Sequence, residues 1–211
     1  MRLAVCLVVA LLTVPALAAV IPVGPFVGDL QESWESFQNY WDDPDHFMDD
    51  PSLIFGGTAE ISNAYMVVYE PSAGVGFGLG YYGNAQVVDG TKGHGLDTGW
   101  PASSATINFD DPVLQFGGYW GAADIDGYPT VPIGFDFYDG DGELIDSVTV
   151  QYGDDTGQGT LMWFGWSSDV GIETVVYTGS FVVNDYLQAT LVPEPASLAL
   201  LALGVLVLRR R

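Results

Sequence analysis

FDFYDGDGELIDSVTV, residues 135–150, decides the class of fold. Ile133, Phe135 and Phe137 alternate with smaller or polar residues, which is the period of a half-buried strand. Asp139-Gly140-Asp141-Gly142 then interrupts the pattern, and Asp-Gly is a favoured tight-turn pair. Leu144 begins a return strand. The stretch therefore predicts a β-hairpin. The same acidic turn offers a second reading. Asp139, Asp141 and Glu143 stand at alternate positions, as at the start of a calcium loop. The EF-hand pattern fails, because its glycine position is Leu144 and its final glutamate position is Val150. Turn chemistry accounts for these residues. The alternative is a non-EF Ca2+ site at Asp139 and Asp141, completed by Asp185 or by Asp124 and Asp126.

Strand patterns continue on both sides. Ala59–Tyr69 reads as one long strand, and further strands are expected at Ala105–Phe109, Val113–Trp120, Thr130–Tyr138, Leu144–Tyr152, Thr160–Trp166, Ile172–Tyr177 and Ser180–Leu191. In the last, Phe181, Val183, Asp185, Leu187, Ala189 and Leu191 share one face, and Asp185 interrupts an apolar row. From Gly74 to Tyr81 every second residue is glycine, a strand with one bare face. One short helix is predicted near the start, where Leu30, Trp34, Phe37 and Trp41 recur at helical spacing behind Asp29 as N-cap. The loop after it holds Asp42, Asp43, Asp45, His46, Asp49 and Asp50, typical turn residues that also offer cation ligands. The expected architecture is all-β, a single jelly-roll-like β-sandwich spanning residues 19–191.

Charge narrows the function. Of 27 acidic residues, 26 lie between Asp29 and Asp185, against Lys92 alone. Such a body repels phosphate, so nucleic acid is excluded as a partner. No HExxH, GxSxG or Walker loop appears, and the two histidines, His46 and His94, sit in Asp- or Gly-rich sequence. Carboxylate pairs are everywhere in so acidic a chain and carry no information about hydrolysis. The expectation is a non-enzyme, with Trp100, Trp120, Trp163 and Trp166 available either to the core or to stack on sugar rings.

The two ends carry the remaining basic residues. Arg2, the apolar run from Leu3 to Val14 and Ala16-Leu17-Ala18 predict a secretory signal peptide over residues 1–18, cut after Ala18 or Ala19. Its removal would take Cys6, the only cysteine. At the other end, Val192-Pro193-Glu194-Pro195 precedes an apolar run at residues 196–208 and then Arg209, Arg210 and Arg211. Two prolines hold the tetrapeptide extended. The apolar run predicts a short membrane helix, with the arginines as a cytoplasmic stop-transfer signal.

This arrangement of Pro193-Glu194-Pro195, apolar helix and terminal arginines resembles the PEP-CTERM sorting signal of Gram-negative bacteria. The resemblance implies an exosortase-type membrane enzyme as partner, transient anchoring by the C-terminus, and release to the cell surface or the extracellular biofilm matrix. More loosely, the stretch from Phe116 to Leu187 is similar to the β-rich ectodomain common in such proteins. The family often shows two adjacent aspartates where this chain has Asn184-Asp185. The expected role is structural or adhesive, binding polysaccharide with Ca2+ as a bridging ion. The alternatives are a secreted hydrolase of matrix glycans and a passive matrix filler.

Overall fold

The computed structural model describes residues 19–38, 47–63, 65–70, 87–96, 102–122, 132–151 and 161–193. The signal peptide, the Gly74–Tyr81 repeat, the aspartates between 42 and 45, His46, Trp100, Asp124, Asp126 and residues 194–211 lie outside that set.

Among the described residues eleven strands form one continuous hydrogen-bonded sheet: β1 (Ile21–Pro22), β2 (Leu30–Glu32), β3 (Ser52–Ile54), β4 (Ala59–Ser62), β5 (Met66–Tyr69), β6 (Gly93–Leu96), β7 (Ser103–Ala122), β8 (Ile133–Tyr138), β9 (Leu144–Val150), β10 (Met162–Gly179) and β11 (Val182–Leu191). Every pairing is antiparallel. The sheet becomes two layers because β7 and β10 are long and bend. The first part of β7 pairs with β4 and with the last part of β10, which in turn pairs with β8 and so with β9. The remainder of β7 pairs with the start of β10 and with β11, which carries β6 and β5 beyond it.

The bend has a local cause. Between Ser167↔Gln115 and Ile172↔Val113 the register slips, and it slips again before Thr174↔Asn108. Asp110-Asp111-Pro112 on one strand and Ser168-Asp169-Val170-Gly171 on the other supply the surplus residues. Proline cannot donate to a ladder, so the corner is where the ladder breaks. The interruptions expected in the sequence at residues 110–112 and 167–171 are thus corners that carry one strand from layer to layer.

Facing side chains close the sandwich. Trp120 of the second layer meets Phe135 edge-on at 4.9 Å and Tyr177 at 5.0 Å. Trp166 lies 4.6 Å from Phe135 and 5.2 Å from Phe137. All of these rings are buried. Aromatic pairs at such separations add to the area they bury. The Phe135–Val150 hairpin forms as expected, with Ile133, Phe135 and Phe137 inward.

Three expectations are corrected. Ala59–Tyr69 is two strands in different layers, broken at Asn63. The helix expected from residue 29 onward is absent over its described part. Leu30–Glu32 is instead a strand on the free edge of β11, followed by a turn at Trp34–Phe37. Pairing to β11 overrides the helical spacing. The turn is fixed by Glu32, whose two carboxylate oxygens accept from Trp34 N–H at 2.9 Å and Phe55 N–H at 2.8 Å. Both residues are left-handed, with φ 64° and 54°. Finally, the six alternate residues of β11 do not share a face. Asp185 pairs with Tyr119 but Gln188 with Gly117, so β11 carries one extra residue at Tyr186, with φ 48°. The bulge inverts the alternation. Phe181 and Val183 pack in a small outer cluster, while Leu187 and Ala189 join the main core.

The N-terminal segment straps the second layer. β1 holds the free edge of β10, and β2 holds the edge of β11. Between them Trp163 Nε1 donates to Val23 O at 3.0 Å, and Gly28 N–H donates to Gln188 Oε1 at 3.0 Å. Gly28 lies against the backbone of Ala189, which leaves no room for a side chain.

Candidate functional site

His94, Asn184 and Trp120 stand side by side on β6, β11 and β7, and all three are fully buried. Asn184 Nδ2 and His94 Nδ1 are 3.0 Å apart, Tyr177 Oη lies 3.5 Å from the same nitrogen, and Trp34 stacks on the imidazole at 4.4 Å. Burial pushes the His94 imidazole down to about 3, so the ring is neutral. Burial likewise pushes the Tyr177 hydroxyl up. His94 Nε2, Asn184 Oδ1 and the indole nitrogens of Trp34 and Trp120 make no hydrogen bond to protein. No substrate could reach this group, which closes the interior between the layers.

Asp185 lies on the opposite face of β11, before the bulge. Its Oδ2 accepts from Val88 N–H at 2.6 Å and Asp89 N–H at 2.8 Å, and its Oδ1 accepts from Tyr186 N–H at 2.6 Å. Burial raises the carboxyl to about 6, against the lowering effect of those three donors. Asp185 thus fastens the 87–91 segment over the sheet. Asp139 does the same on a small scale, its Oδ1 accepting from Asp141 N–H at 3.0 Å and Glu143 N–H at 2.9 Å. The structure does not bring Asp139, Asp141 and Asp185 together. Asp139 follows the end of β8, level with the first part of β7, whereas Asp185 pairs near the end of β7. Among the described residues no three His, Cys, Asp or Glu side chains could jointly hold a metal ion.

Among the described residues the tryptophans do not offer a surface. Trp120 and Trp166 are core, and Trp163 is half-buried beneath the strap, between Phe26 and Tyr119 at 5.4 Å each. The exposed rings are elsewhere. Phe47 and Tyr65, 39% and 49% exposed, meet edge to face at 5.9 Å. Asn63 sets this pair: its Oδ1 accepts from Tyr65 N–H at 2.6 Å, and its Nδ2 donates to Ser103 Oγ at 2.8 Å and to Ser104 O at 2.5 Å. Beyond it the outer face of the first layer is a field of hydroxyls, amides and carboxylates. Ser104 bonds Thr178 at 2.7 Å, Thr174 donates to Asn108 at 2.9 Å, and Ser147 donates to Asp136 at 2.5 Å. Among the described residues no Lys or Arg enters it. Aromatic rings beside amides and hydroxyls are the chemistry that recognises a sugar ring, by stacking and by hydrogen bonds. The one sequence signal for this site was an aromatic, Phe47, inside an Asp-Pro loop.

β11 delivers the chain to the sorting signal. Val192 N–H still donates to Pro112 O at 3.0 Å, and Pro193 is exposed. Glu194, Pro195, the apolar run and Arg209, Arg210 and Arg211 lie outside the described residues, as noted above. Among the described residues no helix is long and apolar enough to cross a membrane.

Comparison with known proteins is informative at that end. Residues 191–211 match the PEP-CTERM protein-sorting motif. The chain therefore carries the signal of an exported protein with a transient C-terminal membrane anchor. No curated protein sequence matches it. Among solved structures, it is similar to a DUF4465 family protein from Bacteroides caccae, at TM-score 0.40 and 10% identity over 79% of this chain and 99% of that one. It is also similar to CsCBM6-3 from Clostridium stercorarium, solved with cellobiose, at TM-score 0.38 and 12% identity over 81% and 100%. The CBM22-1 xylan-binding domain of Paenibacillus barcinonensis Xyn10C gives the same four values.

Two of the shifted groups, His94 and Asp185, make opposite contributions to stability as pH changes. His94 is held below its unfolded value of 6.5, so its contribution is full above about pH 6.5 and is lost as pH falls toward 3. Asp185 is held above 3.8, so its ionisation costs stability above about pH 6, and acid relieves that cost. Between pH 4 and 6 the two offset each other. Asp185→Asn should therefore steepen the acid loss of stability across that window by about 2 kcal/mol. Urea unfolding at pH 4, 5 and 6 measures it, and a slope equal to that of the wild type would contradict the assignment.

Proposed function

We propose that this protein is exported, handed to an exosortase-type enzyme at Pro193-Glu194-Pro195, and left at the cell surface or in the surrounding matrix. There its β-sandwich binds neutral polysaccharide. The match of residues 191–211 to the sorting motif carries the first half of this reading. The exposed Phe47–Tyr65 pair beside the Ser, Thr and Asn face carries the second. Charge favours a neutral glycan over an anionic one, because Lys92 is the one cation between the two ends of the chain. Two of its three ammonium donors are already engaged: Lys92 Nζ donates to Phe37 O at 2.7 Å and to Glu35 O at 3.3 Å.

We favour binding over hydrolysis for a specific reason. Among the described residues, the carboxyl raised toward neutrality is that of Asp185. It is fully covered and occupied by backbone donors. A general acid needs its proton within reach of the substrate.

Two outcomes test the reading. Replacing Pro193, Glu194 and Pro195 with alanine should leave the protein in the membrane fraction of a host that processes such signals; unchanged release would sink the sorting role. Phe47→Ala with Tyr65→Ala should weaken retention on an insoluble neutral glycan at least tenfold, since a stacked ring contributes about 1–2 kcal/mol. The melting temperature should change little. Trp163→Ala should do the reverse, lowering the melting temperature while a folded fraction still binds. Equal binding by the double variant and the wild type would remove the exposed rings from the account.

A further inference from the structure

The first described residues show an unusual preparation for a chain end. Val20 is buried in the main core, and its N–H donates to Asp146 Oδ2 at 3.1 Å. Asp146 Oδ1 accepts from Ser147 N–H at 2.8 Å, so this carboxylate is held in place. One residue earlier, Ala19 is exposed and lines an open depression with Ile21, Ser167, Ser168 and Asp169. The floor is rigid, because Ile21 pairs with Ser167 of β10 and the Ser168 hydroxyl accepts from Val170 N–H at 3.1 Å. Ala19 thus precedes a peptide bonded by a carboxylate of β9, and it shares its depression with Asp169 of β10.

We infer that this is a seat for a free α-ammonium group, created when the leader is removed after Ala18. The inference rests on the signal-peptide reading of residues 1–18. In the uncleaved chain the nitrogen of Ala19 is an uncharged amide. After cleavage it is an ammonium, protonated at neutral pH, since an α-amino group titrates near 8. It becomes the second cation of a body that otherwise has Lys92 alone. Its charge falls one residue before the amide that Asp146 of β9 holds, in the depression that Asp169 of β10 also lines. The strap that β1 begins crosses the second layer and ends in β2. A fixed charge at its start therefore secures the whole strap, and export completes the fold electrostatically. The ligand of this site is the protein's own processed amino terminus.

The sign of the effect follows from linkage. Pairing raises the ammonium's pKa in the folded state, so the stabilisation is full below about pH 8 and is lost as pH rises through the raised value. The test compares the chain of residues 19–211, in detergent, with the same chain carrying Gly-Ser ahead of Ala19. The extension keeps the charge but moves it out of the seat. At pH 6 the native terminus should melt ~3 °C higher, as expected for one ion pair of about 1 kcal/mol in a domain of this size. The gap should close at pH 10, and Asp146→Asn or Asp169→Asn should shrink it at pH 6. No gap at pH 6, or one that persists unchanged at pH 10, would overturn the seat. Intact mass of the exported protein separates the two layers of the argument. A mature chain that keeps residues 1–18 overturns the leader reading, and one that begins at any residue other than Ala19 overturns the cut on which the seat depends. A chain that begins at Ala19 but shows no gap overturns the seat alone.

Discussion

Glu32 holds the structure at its most demanding point. Its carboxylate, 7% exposed, accepts one backbone N–H on each oxygen, from Trp34 and from Phe55. Both are aromatic residues in the left-handed region, a conformation that bulky side chains adopt at a cost of about 1–3 kcal/mol. Trp34 in turn stacks on His94 in the interior. One buried carboxylate therefore fixes the turn after β2, the end of β3 and the aromatic lid on the polar core. Tyr186, a third left-handed aromatic residue, is held the same way by Asp185.

The pattern extends through the molecule and follows from composition. With one lysine in its body, the chain cannot neutralise buried carboxylates by ion pairing. It uses backbone amides. Exposed carboxylates do the same: Glu35 Oε1 accepts from Thr91 N–H at 2.6 Å and Lys92 N–H at 2.8 Å, and Asp29 Oδ2 accepts from Leu191 N–H at 3.1 Å. Hydrogen bonds to a charged acceptor are stronger than neutral ones. They also fasten loops, because loop amides are the donors that sheet ladders leave free. Acidic residues here are the fittings of the loops as well as a solvated surface.

This use of carboxylates explains what the sequence could and could not convey. Alternation around Phe135 and Phe137 made the hairpin and the all-β class readable, because both depend on local period alone. The breaks at Asp110-Asp111-Pro112 and Ser168–Gly171 were visible too, but as gaps between strands rather than as corners within them. Only the pairing of β7 with β10 shows that the ladder resumes beyond each corner. The parity change in β11 was not readable, since nothing in Asn184-Asp185-Tyr186 announces a bulge. The helix expected from Leu30 to Trp41 failed over its described part because an open edge of β11 and the Glu32 carboxylate outweighed local spacing. The surface site was missed for a related reason. Tryptophans drew attention as sugar platforms, yet Trp120 and Trp166 go to the core, while Phe47 and Tyr65 stay exposed and Asn63 holds the Tyr65 backbone.

The most direct measurement is the unfolding free energy of Glu32→Gln against the wild type in urea at pH 7. An amide offers one acceptor oxygen, and its NH2 must face the other backbone donor. The account predicts a loss of about 2 kcal/mol or more, with no change in the urea dependence of the free energy. A loss below about 0.5 kcal/mol, the range of an ordinary surface substitution, would contradict the claim that carboxylate-to-amide bonds hold this fold together.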